Sequence, residues 1–202
     1  MSTFTLPLFP LPEVFLFPGT FLPLHIFEPR YRSMLTYCLE NGNEMGIVPY
    51  PRNWTGSGPL PLEKIFGWGH VIQCERLEDG RSNILLEGLG TAEIIDYESM
   101  EPFRISNVRK IDQDKVSKSN SDFKDMLAEL LLLTKRILLA EGAEELIILK
   151  INHIANHMFP IDFIASILNF EYRKKQEILE TVNLLEKSHK LLSILRDMNL
   201  RE

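Results

Sequence analysis

The chain has 202 residues, of which 45% are hydrophobic and 25% charged, and its formal net charge is −6. This composition is that of a globular protein and excludes the disordered and fibrous classes. The acidic balance argues against nucleic acid as a partner, because the overall field would repel a phosphate backbone.

The two cysteines, Cys38 and Cys74, show neither the spacing of metal ligands nor a disulfide framework. The amino-terminal segment lacks a basic region and is interrupted by prolines, so it does not resemble a signal peptide. No window approaches the roughly 20 apolar residues that cross a bilayer. We therefore expect a cytoplasmic protein with no membrane partner, in which both thiols are buried and unreactive.

The first part of the chain predicts short strands separated by turn residues, a pattern typical of a barrel or sandwich. Asp79-Gly80 is the clearest turn, because glycine tolerates the positive φ of a tight hairpin. The predicted strands are Thr3–Phe9, Val14–Phe17, Leu22–Phe27, Met45–Pro49, Ile65–Leu77, Asn83–Tyr97 and Phe103–Ile111.

One helix is predicted among these strands. It begins at Pro29, whose φ suits a first helical turn, and it ends at Asn41-Gly42. The apolar residues that recur on one face of this helix are Tyr31, Met34, Leu35 and Cys38. The proline-rich stretch from Tyr50 to Leu62 predicts a long loop.

The composition changes near residue 112. Of the 12 prolines 11 precede this point, as do 10 of the 11 glycines. Long apolar stretches at helical spacing follow it. The change predicts two subdomains, a β-barrel over residues 1–115 and a helical bundle over residues 116–202.

Four helical segments are predicted after this boundary. They extend from a cap at Ser119–Ser121 to Gly142, from about Glu144 to Met158, from Pro160 through Leu168, and from Glu171 to Met198. The last segment is expected to break near Asn183, because Asn183-Leu-Leu-Glu186 resembles a capping box.

Five strings of the sequence carry a resemblance to a known family. They are Leu6–Pro12, Val14–Gly19, Leu22–Arg32, Phe66–Gly88 and Lys175–Glu180. Together they span nearly the whole chain and resemble the substrate-binding domain at the start of LON proteases. The resemblance implies an α+β fold: an N-terminal PUA-like β pseudobarrel with one inserted helix, followed by a C-terminal α-helical bundle. It also implies a non-catalytic module that helps to capture unfolded or tagged polypeptides.

The motifs of the catalytic LON modules are missing. No G-x-x-x-x-G-K-[ST] string occurs, so the sequence offers no loop to hold ATP phosphates. The context of a Ser nucleophile with a Lys base is missing as well. We therefore interpret the chain as a free-standing relative that is not an enzyme and needs no cofactor.

The expected partners are unfolded or tagged polypeptides and, as a further option, a separate ATPase or protease. Two other functions stay open. One is an ATP-independent hydrolase or peptidase, and the more distant one is an RNA-binding PUA-like module.

Four aromatic residues are the candidate peptide-binding side chains: Tyr50, Trp54, Phe66 and Trp68. Trp54 lies in the predicted loop, where contact with a partner would explain an exposed indole. The alternative is that the loop folds back over the barrel and buries the ring.

We interpret three charged residues and two histidines as structural. Glu28, Arg30 and Arg32 surround the predicted start of the first helix, where Glu28 suits the positive helix end and the arginines can hold neighbouring loops. His153 and His157 are four residues apart on a predicted helix. Ile154 takes the place of the glutamate in H-E-x-x-H, which favours packing over a metal site.

Overall fold

The computed structural model describes residues 3–113, 121–151, 153–154 and 157–200. The chain divides into two compact units, Met1–Asp112 and Gln113–Glu202. The first unit contains six strands and one helix, and the described part of the second contains five helices. The chain therefore has an α+β fold, as predicted.

The strands of the first unit are β1 (Thr3–Pro12), β2 (Phe21–Ile26), β3 (Glu44–Tyr50), β4 (Ile65–Arg76), β5 (Ser82–Ser99) and β6 (Arg104–Ile111), and helix α1 (Pro29–Glu40) joins β2 to β3. Their order in the sheet is β2-β5-β4-β3-β1-β6, and β5 also pairs with β6. Five strands therefore close into a ring, and β2 lies outside it along the first part of β5.

The pairing in this ring is antiparallel except between β1 and β3, which are parallel with Leu8 opposite Gly46. The 18-residue strand β5 is long enough to have two partners beside β4. Its first part pairs with β2 over Ser82–Glu87, and its last part pairs with β6 over Thr91–Ser99. The predicted Asp79-Gly80 hairpin is confirmed: it joins β4 to β5, and Gly80 has a φ of 79°.

The predicted strand Val14–Phe17 is wrong. This segment is irregular, and its apolar residues Leu16 and Phe17 are buried. Its backbone lies directly on two strand glycines: a Cβ added to Gly67 would lie 1.7 Å from the Leu16 carbonyl oxygen, and one added to Gly88 would lie 2.1 Å from that of Phe17. The segment thus packs across the sheet instead of joining it, and the two glycines make room for it.

Helix α1 has the predicted bounds and buries the predicted face. Its buried residues are Tyr31, Met34, Leu35 and Cys38. They share one core cluster with residues of the sheet, among them Phe9, Ile26 and Leu86. Pro29 takes the first helical position, where its missing N–H costs nothing.

The helices described in the second unit are α2 (Ser121–Ala140), α3 (Glu145–Ile151), α4 (Pro160–Ile167), α5 (Tyr172–Glu180) and α6 (Leu184–Asn199). Gly142, with a φ of 71°, lies just beyond α2, as expected for a helix terminator. The predicted break near Asn183 is confirmed: its side chain caps α6 by accepting a hydrogen bond of 3.0 Å from the Glu186 backbone N–H.

The predicted helix from Glu144 to Met158 is shorter in the structure and ends at Ile151. Residues 152, 155 and 156 lie outside the described residues. The backbone N–H of Phe159 donates to Nδ1 of His157 at 3.0 Å, an interaction that a continuing helix would not permit. This contact and the following Pro160 explain why Met158 is not helical.

A fully buried ion pair joins α4 to α6. Nζ of Lys187 lies 2.7 Å from Oδ1 of Asp162, and the two side chains are 1% and 0% exposed. Burial raises the pKa of Asp162, whereas the charge of Lys187 opposes this change. The sequence does not indicate this pair, because the partners are 25 residues apart and each lies in an otherwise ordinary amphipathic pattern.

Candidate functional site

A long proline-rich loop, residues 51–64, connects β3 to β4. Within it Gly56 and Gly58 have positive φ values of 83° and 79°, and no atom crowds either position. These glycines allow tight changes of direction that other residues rarely adopt. The loop was predicted from the same prolines and glycines.

The start of this loop is held to the segment after β1. The backbone N–H of Glu13 donates to the Tyr50 carbonyl at 2.9 Å. Glu13 has an unusual positive φ of 57°, and its carboxylate also lies 3.6 Å from the guanidinium of Arg52. The chain therefore leaves the barrel at Tyr50 in a defined direction.

The end of the loop is held to β5 and β6. Nζ of Lys64 lies 2.7 Å from the Glu93 carboxylate, which Arg109 also contacts. The hydrogen bond from Lys64, followed by the one from Arg109, lowers the pKa of Glu93. The Lys64 carbonyl also accepts from the Ile94 N–H at 2.9 Å. Both ends of the loop are thus fixed to the barrel.

Tyr50, the last residue of β3, and Trp54, in this loop, form an aromatic pair. Their ring centroids are 6.4 Å apart, with an edge-to-face angle of 84°. Trp54 is 37% exposed, so part of the indole is covered and the rest is open to solvent. The backbone N–H of Trp54 donates to the Pro51 carbonyl at 3.2 Å, which fixes the turn that presents the ring.

Phe66 and Trp68 lie in the core beneath the loop. They are 0% and 8% exposed and belong to a buried cluster with Leu6, Leu8 and Val48. Phe4 packs against Trp68 with its edge, at a centroid distance of 5.0 Å. The structure thus brings Tyr50 and Trp54 together at the surface and separates them from these two buried rings.

The charged residues at the start of α1 form a local pair. Nη2 of Arg30 lies 2.9 Å from the Glu28 carboxylate, and the same guanidinium lies 4.5 Å above the Tyr31 ring. Glu28 occupies the N-cap position, but its side chain makes no capping hydrogen bond. Arg32 points elsewhere and lies against Gly80 of the β4–β5 hairpin.

Two exposed aromatic residues, one in β2 and one directly after it, were not singled out from the sequence. Phe21 and Phe27 are 59% and 57% exposed, and Phe27 stacks on His25 at 6.1 Å. The alternation of outward and inward residues along Phe21–Ile26 is the signal that could have identified this face. Pro23 lies in the same strand and has no N–H to donate to a neighbouring strand.

Metal and membrane features are absent from the part of the chain that the structure describes. No three His, Cys, Asp or Glu side chains converge there as metal ligands would. His153 is exposed, whereas His157 is half-buried and accepts the hydrogen bond from Phe159. Among the described helices, none combines the length and the apolar character needed to cross a bilayer.

Comparison with solved structures identifies the fold. The chain superposes on the N-terminal domain of the Mycobacterium avium complex Lon protease with a TM-score of 0.70 and 18% identity, covering 96% of this chain and 98% of that one. The Lon N-terminal domain protein from Xanthomonas campestris gives a TM-score of 0.69 at 17% identity, covering 94% and 98%. At these identities the likeness shows the fold alone.

Comparison with curated sequences gives whole proteases as relatives. The Lon protease of Parabacteroides distasonis is 24% identical over 196 residues, which are 95% of this chain and 24% of the relative. That of Dictyoglomus thermophilum is 27% identical over 188 residues, 92% of this chain and 23% of the relative. The chain therefore spans about a quarter of the length of these relatives.

A family model for the substrate-binding domain of ATP-dependent protease La (LON) matches residues 5–197. This match extends over most of both compact units and includes all four predicted aromatic residues. The chain belongs to the family of the LON substrate-binding domain.

Proposed function

We propose that this chain binds unfolded or tagged polypeptide segments by non-covalent contact and does not cut them. The observation that carries the proposal is the family match over residues 5–197, which homology links to substrate recognition. The aromatic pair of Tyr50 and Trp54 supplies a surface of suitable chemistry, because aromatic rings are enriched where proteins bind one another.

The binding energy from this surface is expected to be small. Covering the exposed part of the Trp54 ring would contribute about 2 kcal/mol at the usual value per unit of apolar area. An apolar contact has little directional preference, so it accepts many different side chains. Weak binding that tolerates sequence variation suits a module that meets many unfolded chains.

Both ends of the loop are anchored, and this limits the conformational entropy that the loop loses when a peptide binds. The Glu13 N–H holds the Tyr50 carbonyl, and Glu93 holds Lys64. A ring that is already positioned loses less conformational freedom when a peptide covers it. Phe66 and Trp68, the other two predicted peptide-binding residues, support the loop from the core in this proposal.

Fluorescence anisotropy with a labelled, unstructured peptide tests the proposal. We expect saturable binding by the unmodified chain and binding that is roughly tenfold or more weaker for Trp54→Ala, as for a central aromatic contact. Tyr97→Ala is the matched control, because Tyr97 is 41% exposed on β5, and it should leave the affinity unchanged. Equal losses in both variants, or no binding by the unmodified chain, would contradict the proposal.

A separate ATPase or protease is proposed as a second class of partner. The curated relatives are proteases about four times as long as the matched region, and ATP dependence is part of the family description. A pull-down from cell extract tests this point. Recovery of such a subunit in stoichiometric amount supports it, and recovery of diverse misfolded chains alone contradicts it.

A further inference from the structure

A second surface feature of the barrel unit is a cavity between α1 and the β4–β5 hairpin. Its volume is about 480 Å³, and its lining includes Arg32, Ser33, Arg76, Leu77 and Ser82. This size lies within the range of about 300–1,000 Å³ that is typical of ligand sites. All of these residues lie in the first compact unit.

The lining of the cavity carries two positive charges and no acidic residue. Across residues 3–113, 121–151, 153–154 and 157–200, neither the Arg32 nor the Arg76 guanidinium has a hydrogen-bond or ion-pair partner. Two nearby carboxylates are already occupied: Asp79 pairs with Arg81 at 2.5 Å, and Glu28 pairs with Arg30 at 2.9 Å. The Arg32 charge also helps to lower the pKa of Asp79, but Arg32 makes no hydrogen bond to that carboxylate, so the cavity still offers N–H donors to an anion.

The Arg32 side chain packs against the hairpin. A Cβ added to Gly80 would lie 2.3 Å from Nη2 of Arg32 and 2.9 Å from its Cζ, so the guanidinium packs directly on the glycine backbone. This glycine therefore serves two purposes, the positive φ of the turn and the close approach of the arginine. A guanidinium that is positioned before binding loses less entropy when it meets a ligand.

The remaining lining is partly apolar. Leu35 is buried, Leu77 is half-buried, and both contribute to the wall of the cavity. The hydroxyls of Ser33 and Thr36 donate to the Pro29 and Arg32 carbonyls at 3.2 Å, which leaves their oxygens able to accept. Together the walls suit a ligand with a carboxylate, an adjacent backbone N–H and an apolar side chain.

We propose that this cavity binds the C-terminal carboxylate of a polypeptide, with its last side chain against the leucines. Guanidinium groups bind carboxylates through paired, charge-assisted hydrogen bonds, and terminal carboxylates are a recurrent recognition element. The proposal rests on the polypeptide binding proposed above and adds a preference for chain ends. Inorganic phosphate also presents negatively charged oxygens and could occupy the same arginines.

Two labelled peptides of one unstructured sequence ending in leucine test this proposal, one with a free C-terminal carboxylate and one with a C-terminal amide. We expect the free acid to bind the unmodified chain about tenfold more tightly, a difference of about 1.4 kcal/mol. Arg32→Gln and Arg76→Gln should each reduce this preference, and the double variant should remove it. Inorganic phosphate should weaken binding of the acid and leave that of the amide unchanged.

Arg30→Gln is the matched control, because Arg30 lies on the same helix and its removal changes the net charge equally. It should retain the preference for the acid, and unchanged thermal unfolding of all variants should confirm that they fold. Equal binding of the two peptides to the unmodified chain, or loss of the preference in the Arg30 variant, overturns the proposal while polypeptide binding stands. Binding of neither peptide contradicts the proposed function, and this inference with it.

Discussion

Cys38 and Cys74 show how strongly the surroundings of one residue decide its chemistry. Cys38 lies on the inner face of α1, fully buried, and its thiol donates to the Glu44 carbonyl at 3.3 Å. Burial, aided by the Glu44 charge, raises the pKa of Cys38 to about 12. Cys74 is exposed, so the expectation of two buried thiols is confirmed for Cys38 and is wrong for Cys74.

Thiol labelling at pH 8 should therefore detect one cysteine in the folded chain and two after unfolding in urea. The thiolate is the reactive form, and Cys38 has almost none of it at this pH. Because its folded pKa is raised, the protonated thiol stabilises the fold below the ordinary pKa of 9.0, and this contribution is lost as the pH rises toward about 12. Two fast-reacting thiols in the folded chain would disprove this description of Cys38.

The aromatic candidates show what a single sequence can tell about a residue. Phe66 and Trp68 are two positions apart on β4, so their side chains necessarily share one face of the strand. Whether that face meets solvent depends on residues far along the chain, such as Leu6 and Val48, which cover it. The exposure of Trp54 could not be predicted either, because it depends on how far the loop folds back.

At the scale of elements, prediction from the sequence depended on local signals. Helix α1 and the cap of α6 follow from Pro29 and Asn183, each of which acts within its own turn. The irregular segment Val14–Phe17 looks like a strand because its residues are apolar. Its conformation depends on Gly67 and Gly88, which are about 50 and 70 residues distant and provide space only once the sheet has formed.

The buried pair of Asp162 and Lys187 is expected to control the stability of the helical unit. Lys187→Met should lower the free energy of unfolding by about 3–5 kcal/mol, because it leaves the Asp162 carboxylate buried without its counter-charge. The double variant Lys187→Met with Asp162→Leu should recover much of this loss. Urea denaturation followed by circular dichroism measures both values.

The surface pair of Glu129 and Arg196 provides the control for this prediction. It joins α2 to α6 at 2.7 Å, but its side chains are 40% and 57% exposed. Arg196→Met should cost no more than about 1 kcal/mol, as is usual for a solvated pair. Similar losses in the two methionine variants would show that burial of the Asp162–Lys187 pair adds nothing.

At the scale of the whole molecule, the proposed function requires binding without cleavage. The family that matches residues 5–197 is a substrate-binding domain, and the sequence contains no phosphate-binding G-x-x-x-x-G-K-[ST] string. Highly purified chain incubated with casein should give no cleavage products, with or without ATP. Casein cleavage that co-purifies with the protein, in proportion to its amount, would establish the alternative of an ATP-independent peptidase.

The family was recognised from sequence strings that are spread over nearly the whole chain. The five strings that carry the resemblance, between Leu6 and Glu180, identified the family, and the match over residues 5–197 confirms it. They do not specify the surface that meets a ligand. Arg76, for example, has no sequence signal that distinguishes it from any solvated arginine, and only the fold brings it beside the same cavity as Arg32.

Hydrogen exchange of the whole chain, with and without an unstructured peptide, tests the central claim most directly. If Tyr50 and Trp54 form the contact surface, saturating peptide should slow exchange of the backbone amides in the loop, residues 52–64, while those of residues 44–48 in the core strand β3 stay unchanged. A peptide that binds fully and leaves exchange in residues 52–64 unaltered would contradict this account.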